Sequence, residues 1–361
     1  MMKYGRYLIP ASLTLLFAAL TVYTHFGYFF GILLLANLFA NPLLGEFTNE
    51  EIHTELTYFQ DNSAVRTIKI GSGLLFLAFL IWGIHYVNNT SLSTGTLIGF
   101  SLSVGLITGC FLVTLAHDLL HGRSTFEHGL ANALFVAAGI PHFTNDHITG
   151  HHRLMGLPED KTTAQYGDSF YTYFGKSFWS RIQHSYFSTY ALPEKLRNRL
   201  NRENWLLALC LLMCYVAIGV WASHPIRSMA FFAIQGFMAN VLYELINYIQ
   251  HYGLKRHRLD GRYEAVTLQH SWNCYYKYSN YLLFLLPLHS VHHVSHHYLH
   301  RPGQNLMGPR MPFVYFVMVA MALVPPIWFR VMNPLVRRHQ VRPEPVGVLL
   351  TVSLVTTFIL P

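Results

Sequence analysis

The strongest pattern in the chain is a series of long apolar blocks, at residues 7–24, 26–44, 70–87, 95–116, 205–222 and 229–248. Each is close to the roughly 20 residues that cross the hydrocarbon layer of a bilayer as an α-helix. The pattern predicts an all-α integral membrane protein of about six transmembrane helices, with residues 1–361 in a single membrane domain. The first block follows Lys3 and Arg6, but another begins almost at once without a small-x-small cleavage site, so it reads as a retained helix rather than a signal peptide. Between blocks two and three, Thr48 and Glu51 stand at capping-box spacing and predict a short helix over 48–60.

Two long polar stretches, 123–204 and 253–281, are rich in Tyr and Arg and fall on one side of the membrane in this topology. They predict a cap formed mainly by residues 117–204 and 249–310. The later apolar stretches, 281–288, 312–329 and 346–360, are short or interrupted by proline and belong at the interface or against the bundle. The last of them leaves a seventh span open. No internal repeat and no Gly/Ser linker marks a second domain.

Composition supports the membrane assignment. With 52% hydrophobic and only 12% charged residues, 361 residues carry too few charges to coat a soluble globule of that size. The 25 Lys and Arg residues are distributed unevenly: with both ends of the helical set inside, only Arg227 falls on the outer side. By the positive-inside rule this places the cap in the cytoplasm. The same asymmetry accounts for the formal net charge of +8 without any nucleic-acid partner. Cys110, Cys210, Cys214 and Cys274 are scattered and form no CxxC pair, which points away from disulfides and from an iron–sulfur site.

Nine of the 22 histidines fall into four tight groups, each following an apolar block or lying within the cap. His117 and His121 end the fourth block in AHDLLHGR, and their i, i+4 spacing puts both rings on one helical face, as a metal-ligand pair needs. His147, His151 and His152 follow in DHITGHH, where adjacent histidines point in different directions and can serve two metals. His251 closes the sixth block in NYIQHYG. Counting back from it, Asn247, Glu244 and Asn240 form a polar stripe, readable either as interhelical hydrogen bonding or as support for a metal site. Asp118, Asp146, Glu244, Asn247 and Gln250 are the candidates for such support.

The last group lies in HSVHHVSHHYLH, where two HxxHH registers overlap. His289, His292 and His293 are chosen because the preceding LLFLLPL run fixes their distance from the membrane. The alternative register is His293, His296 and His297. Four groups at one membrane depth point to a metal site, although imidazole suits iron, zinc, copper and nickel alike.

With these motifs in hand, the sequence resembles the membrane-bound alkane monooxygenases of the fatty acid desaturase and hydroxylase superfamily. HDLLH at His117 is similar to that family's HExxH-type box, DHITGHH to EHxxGHH, NYIQHYG to NYxEHYG and LHSVHH to its HSDHH box. The segment GLPEDKTTAQYGDSFYTYF resembles the stretch after the family's second box, and the likeness extends from the first span to about Val336. Gln250 stands where the family usually has Glu, Val291 where it has Asp, Asp146 where it has Glu, and Gly122 where it has a basic residue. All nine histidines are retained.

The resemblance implies two non-haem iron ions held by nine histidines in a bacterial inner membrane. It further implies dioxygen as co-substrate, and hydroxylation of an alkane or alkyl chain at its terminal carbon to a primary alcohol. The substrate would be an apolar small molecule entering from membrane lipid. No Rossmann fingerprint or rubredoxin-type cysteine set is present, so the electrons require a separate rubredoxin or ferredoxin with its reductase. Within the same superfamily, desaturation or hydroxylation of fatty acyl, aromatic or terpenoid substrates uses similar histidines. A histidine-rich metal transporter is the alternative from another class, but the grouping of the histidines on one side leaves no path across the membrane.

Overall fold

In the computed structural model, the described residues are 2–24, 39–187, 192–294 and 304–341. In chain order the principal helices are α1 (Arg6–Thr24), α2 (Asn49–Asp61), α3 (Ser63–Asn89), α4 (Thr94–Leu120), α5 (Thr125–Ala137), α6 (Phe170–Phe187), α7 (Glu194–Trp221) and α8 (Pro225–His251). They are followed by α9 (Lys277–Leu282), α10 (His289–His293), α11 (Tyr315–Ala322) and α12 (Pro325–Val341). The only paired strands among the described residues form a hairpin of Arg258–Leu259 with Arg262–Tyr263. The protein is an all-α membrane protein.

Helices α1, α3, α4, α7 and α8 are long and apolar enough to cross a bilayer. The span expected at 26–44 falls largely outside the described residues, as does the apolar stretch at 346–360. Several helices outrun the apolar blocks that announced them. Helix α3 starts at Ser63 rather than near 70, and α7 at Glu194 rather than near 205. A spanning helix need not stop where the hydrocarbon does, because its backbone bonds remain satisfied in the polar cap. The short helix expected over 48–60 is α2, opened by the full capping box of Thr48 and Glu51.

Helix α4 is the most enclosed of the spanning helices, with most of its apolar stretch buried, whereas α7 is largely exposed and presents Leu206, Leu209, Leu212, Val216 and Val220 outward. The close crossing of α4 and α8 depends on glycine. A Cβ on Gly109 would lie 2.9 Å from Cβ of Leu242 and 3.2 Å from Cα of Ala239. At the same level α4 passes through a π-turn, Thr108–Leu112, which turns the helix face just before His117. Thr108 donates to Oε1 of Gln235 at 2.9 Å across this contact, so the buried polar pair is mutually satisfied.

The stretch at 281–288, expected at the interface or against the bundle, is largely buried and forms a tight reversal. After α9, Phe284 and Leu285 both take left-handed backbone conformations, φ 49° and 62°, and are buried. Non-glycine residues adopt this region at a cost, which tertiary packing must offset. The reversal delivers the chain directly into α10. The other late stretch divides into α11 and the longer α12, whose Trp328, Met332 and Val336 are fully buried.

Candidate metal centre

The nine histidines singled out in the sequence gather into two sets at the cap end of the bundle. One set is His117, His121, His147, His152 and His292; the other is His151, His251, His289 and His293. Within each set the ligating atoms all lie within 4.8 Å of one another. His117 sits in the last turn of α4 and His121 at its C-cap. His147 and His151 belong to a second π-turn, Asp146–His151, and His152 opens the next helical turn. His251 ends α8, and α10 carries the remaining three.

The contacts within the sets have the spacing of a coordination shell. Nε2 of His147 lies 2.8 Å from Nε2 of His117 and 2.9 Å from that of His152, which in turn lies 3.0 Å from Nε2 of His292. Nε2 of His289 lies 3.0 Å from Nε2 of His251 and 2.9 Å from that of His293. Imidazole nitrogens about 2.0–2.1 Å from a shared divalent metal stand roughly 3 Å apart. A ring nitrogen carries at most one proton, so His147 and His289 cannot donate to both neighbours at once. Each of these nitrogens has one proton or one lone pair for two neighbours, so the contacts are not all satisfied by hydrogen bonds, and a bound cation would satisfy the lone pairs together.

Electrostatics favour the same state. Burial, followed by the repulsion of neighbouring imidazoles, pushes His147, His152, His289, His292 and His293 well below the ordinary histidine range. These rings are neutral, and neutral imidazole is the form that ligates. The two sets differ in enclosure. His151, His251 and His289 are at most 2% exposed, whereas His121 is open to solvent.

The polar residues proposed as support go to several places. Asp118 pairs with Lys69 of α3 at 2.9 Å. Glu244 pairs with Arg181 at 2.5 Å, and Asp146 lies 3.9 Å from the same guanidinium. Asn247 is buried. Gln250 reaches the carbonyl of Leu286 at 3.4 Å. A carboxylate that meets one of the nine rings directly is one the sequence pattern did not single out. Asp160 lies 2.9 Å from Nδ1 of His151, and Thr162 lies 2.5 Å from the same nitrogen. Among the described residues, Nε2 of His151 has no hydrogen-bond partner. Burial would raise the Asp160 carboxyl, but His151, Thr162 and Thr163 together hold it at about 2. The local cue is an acidic residue with two threonines at the second and third positions after it, Thr162 donating its backbone N–H back to Asp160 as in an Asx turn.

Arg181 was also missed. It lies on α6 with its guanidinium carbon 4.3 Å from the centre of the Tyr243 ring. A charged residue within a mixed helix gives no warning in sequence of such burial. Of the alternative register, His296 and His297 fall outside the described residues.

Comparison with known proteins gives a consistent result. The fatty acid desaturase family model matches residues 93–318. Alkane 1-monooxygenase 2 of Pseudomonas aeruginosa is 32% identical over 302 residues, covering 81% of this chain and 78% of that protein. Alkane 1-monooxygenase 1 of the same organism is 34% identical over 275 residues, 73% of this chain and 68% of that protein. A more distant relative is the xylene/toluene monooxygenase hydroxylase component XylM of Pseudomonas putida, 25% identical over 64% of this chain and 62% of its own.

Proposed function

Because the chain belongs to the fatty acid desaturase family and, within it, to the membrane-bound alkane 1-monooxygenases, we propose that it is a non-haem diiron monooxygenase that hydroxylates the terminal carbon of an alkane or alkyl chain. The carrying observation is the division of nine histidines into sets of five and four, each at coordination spacing. Two irons held there would supply dioxygen activation and the oxidation of an unactivated C–H bond. One dioxygen, two electrons and two protons would convert the hydrocarbon to a primary alcohol and water.

The residues supply position and exclusion. His151, fixed at Nδ1 by Asp160, aims Nε2 at the four-histidine set, and its neighbour His152 joins the five-histidine set. Consecutive residues thereby tie the two halves together. Phe76, Phe111 and Phe100 are buried in the bundle, and such an apolar interior suits an apolar chain arriving from lipid. We place the site on the cytoplasmic side of a bacterial inner membrane, where a separate rubredoxin or ferredoxin with its reductase can deliver electrons.

The test is iron content of the purified protein coupled to turnover of octane with a donor system and dioxygen. About two irons and 1-octanol support the assignment, whereas zinc or no metal after iron supplementation would overturn it. The likeness to XylM supports a second reading, monooxygenation of an aromatic hydrocarbon such as xylene or toluene. Two irons with product from xylene and none from octane would favour it.

A further inference from the structure

We propose that Asn273 is the positioning residue of the four-histidine set, and that its side-chain amide fixes how α10 presents His289 and His293 against His251. The inference rests on the metal-centre reading above.

Helix α10 has five residues and no side-chain cap at its N-terminus. A helix this short cannot hold its own geometry in isolation. Yet three ligand rings depend on it, so its orientation must be set from outside. Asn273 provides that constraint. Its Oδ1 accepts the backbone N–H of Ser290 at 2.9 Å, satisfying an otherwise orphan donor in the first turn of α10. Its Nδ2 faces Oγ of Ser290 at 2.6 Å, the carbonyl of Ser271 at 3.0 Å and that of Pro309 at 3.1 Å.

The two serines complete the link. Oγ of Ser290 donates to the carbonyl of Ser271 at 2.9 Å, and Oγ of Ser271 lies 3.4 Å from Nδ1 of His251. One amide thus fastens the helix carrying His289 and His293 to the residue that touches His251. Three of the four rings in the set are tied through it, against one of five, His292, in the other set.

The amide orientation follows from its surroundings, since carbonyls can only accept and the Ser290 N–H can only donate. Asn273 is 1% exposed, and Ser271 and Ser290 are fully buried, so no bulk water can replace these bonds. Gly308 closes the group from the other side. A Cβ there would lie 2.7 Å from Oγ of Ser290 and 2.9 Å from Nδ2 of Asn273. Aspartate matches asparagine in shape but, when ionised, cannot donate to the two carbonyls.

The experiment compares wild type, Asn273→Asp and Ser290→Ala, each grown with ⁵⁷Fe and purified in detergent. Iron per chain, Mössbauer spectrum and helical content by circular dichroism are measured. Wild-type iron content reports on the diiron reading itself, and the difference between variant and wild type reports on the proposal. In Asn273→Asp, iron falls from about two per chain towards one, with loss or shift of one iron population and wild-type helicity. Ser290→Ala keeps the bond to the Ser290 N–H and shifts the same population by less. If Asn273→Asp does not fold, Ser290→Ala decides. Wild-type iron content and an unchanged spectrum in the folded variants overturn the proposal.

Discussion

Oδ2 of Asp160 lies 2.9 Å from Nδ1 of His151, and both side chains are buried. This contact fixes the tautomer of the ring: the proton sits on Nδ1, and Nε2 keeps its lone pair for a metal. Asp160 is itself held by the hydroxyls of Thr162 and Thr163 at 2.5 and 2.8 Å, so the carboxylate cannot swing away. Asp160→Asn keeps the shape and removes the charge. We expect it to lower iron affinity or activity by about 10- to 100-fold, the usual cost of losing a partner of a ligating imidazole. Iron retention during dialysis against a chelator measures this, and wild-type retention would remove Asp160 from the site.

His151→Ala and His251→Ala each delete one of only four rings in the enclosed set. Both should abolish hydroxylation and lower the iron content, with the fold retained by circular dichroism. An active variant would remove that residue from the ligand set.

The choice of register at the last histidine group has its own test. His292 lies within the five-histidine set at 3.0 Å from His152, so His292→Ala should be severe. His296→Ala should be mild. Steady-state turnover of the two variants, normalised to protein, decides between the registers, and the reverse order would favour His293, His296 and His297.

Glu127 gives a pH dependence with a definite sign. The double hydrogen bond from Arg66, at 2.9 Å to each oxygen, lowers its carboxyl from 4.5 to about 2, with Ser124 adding to the shift against the effect of burial. A carboxylate lowered in the folded state stabilises above its unfolded value and loses that contribution as pH falls through its folded value. Glu127→Gln should therefore melt below wild type at pH 7. The gap should stay constant down to about 4.5 and close between there and about 2. Melting temperatures in detergent across that range provide the measurement, and a pH-independent gap would contradict it.

Arg181 stands between Glu244 and Asp146 in a buried site. Removing one member of such a group leaves uncompensated charge, at a cost of about 3–5 kcal/mol. Arg181→Met should lower thermal stability strongly, and Arg181→Met with Glu244→Gln should recover part of the loss. A double variant no more stable than the single one would show that the pair is not energetically coupled.

Much of this protein is determined by short stretches of its sequence. Apolar blocks of spanning length specify the membrane helices, because the cost of burying peptide groups in lipid leaves little alternative. The capping box at Thr48 sets the start of α2, and each histidine group is recognisable within a few residues. Sequence also indicates that His151 and His152 diverge, since neighbouring positions on a helix differ by about 100°. Only the tertiary structure decides which ring joins which set, sending His152 to His117, His121, His147 and His292, and His151 to His251, His289 and His293. His152 and His292 stand 140 residues apart along the chain, so no local period encodes the pairing. The supports are equally non-local. Asp160, Asn273 and Arg181 look like ordinary loop or helix-surface residues until packing removes water and leaves each one facing the group that it satisfies.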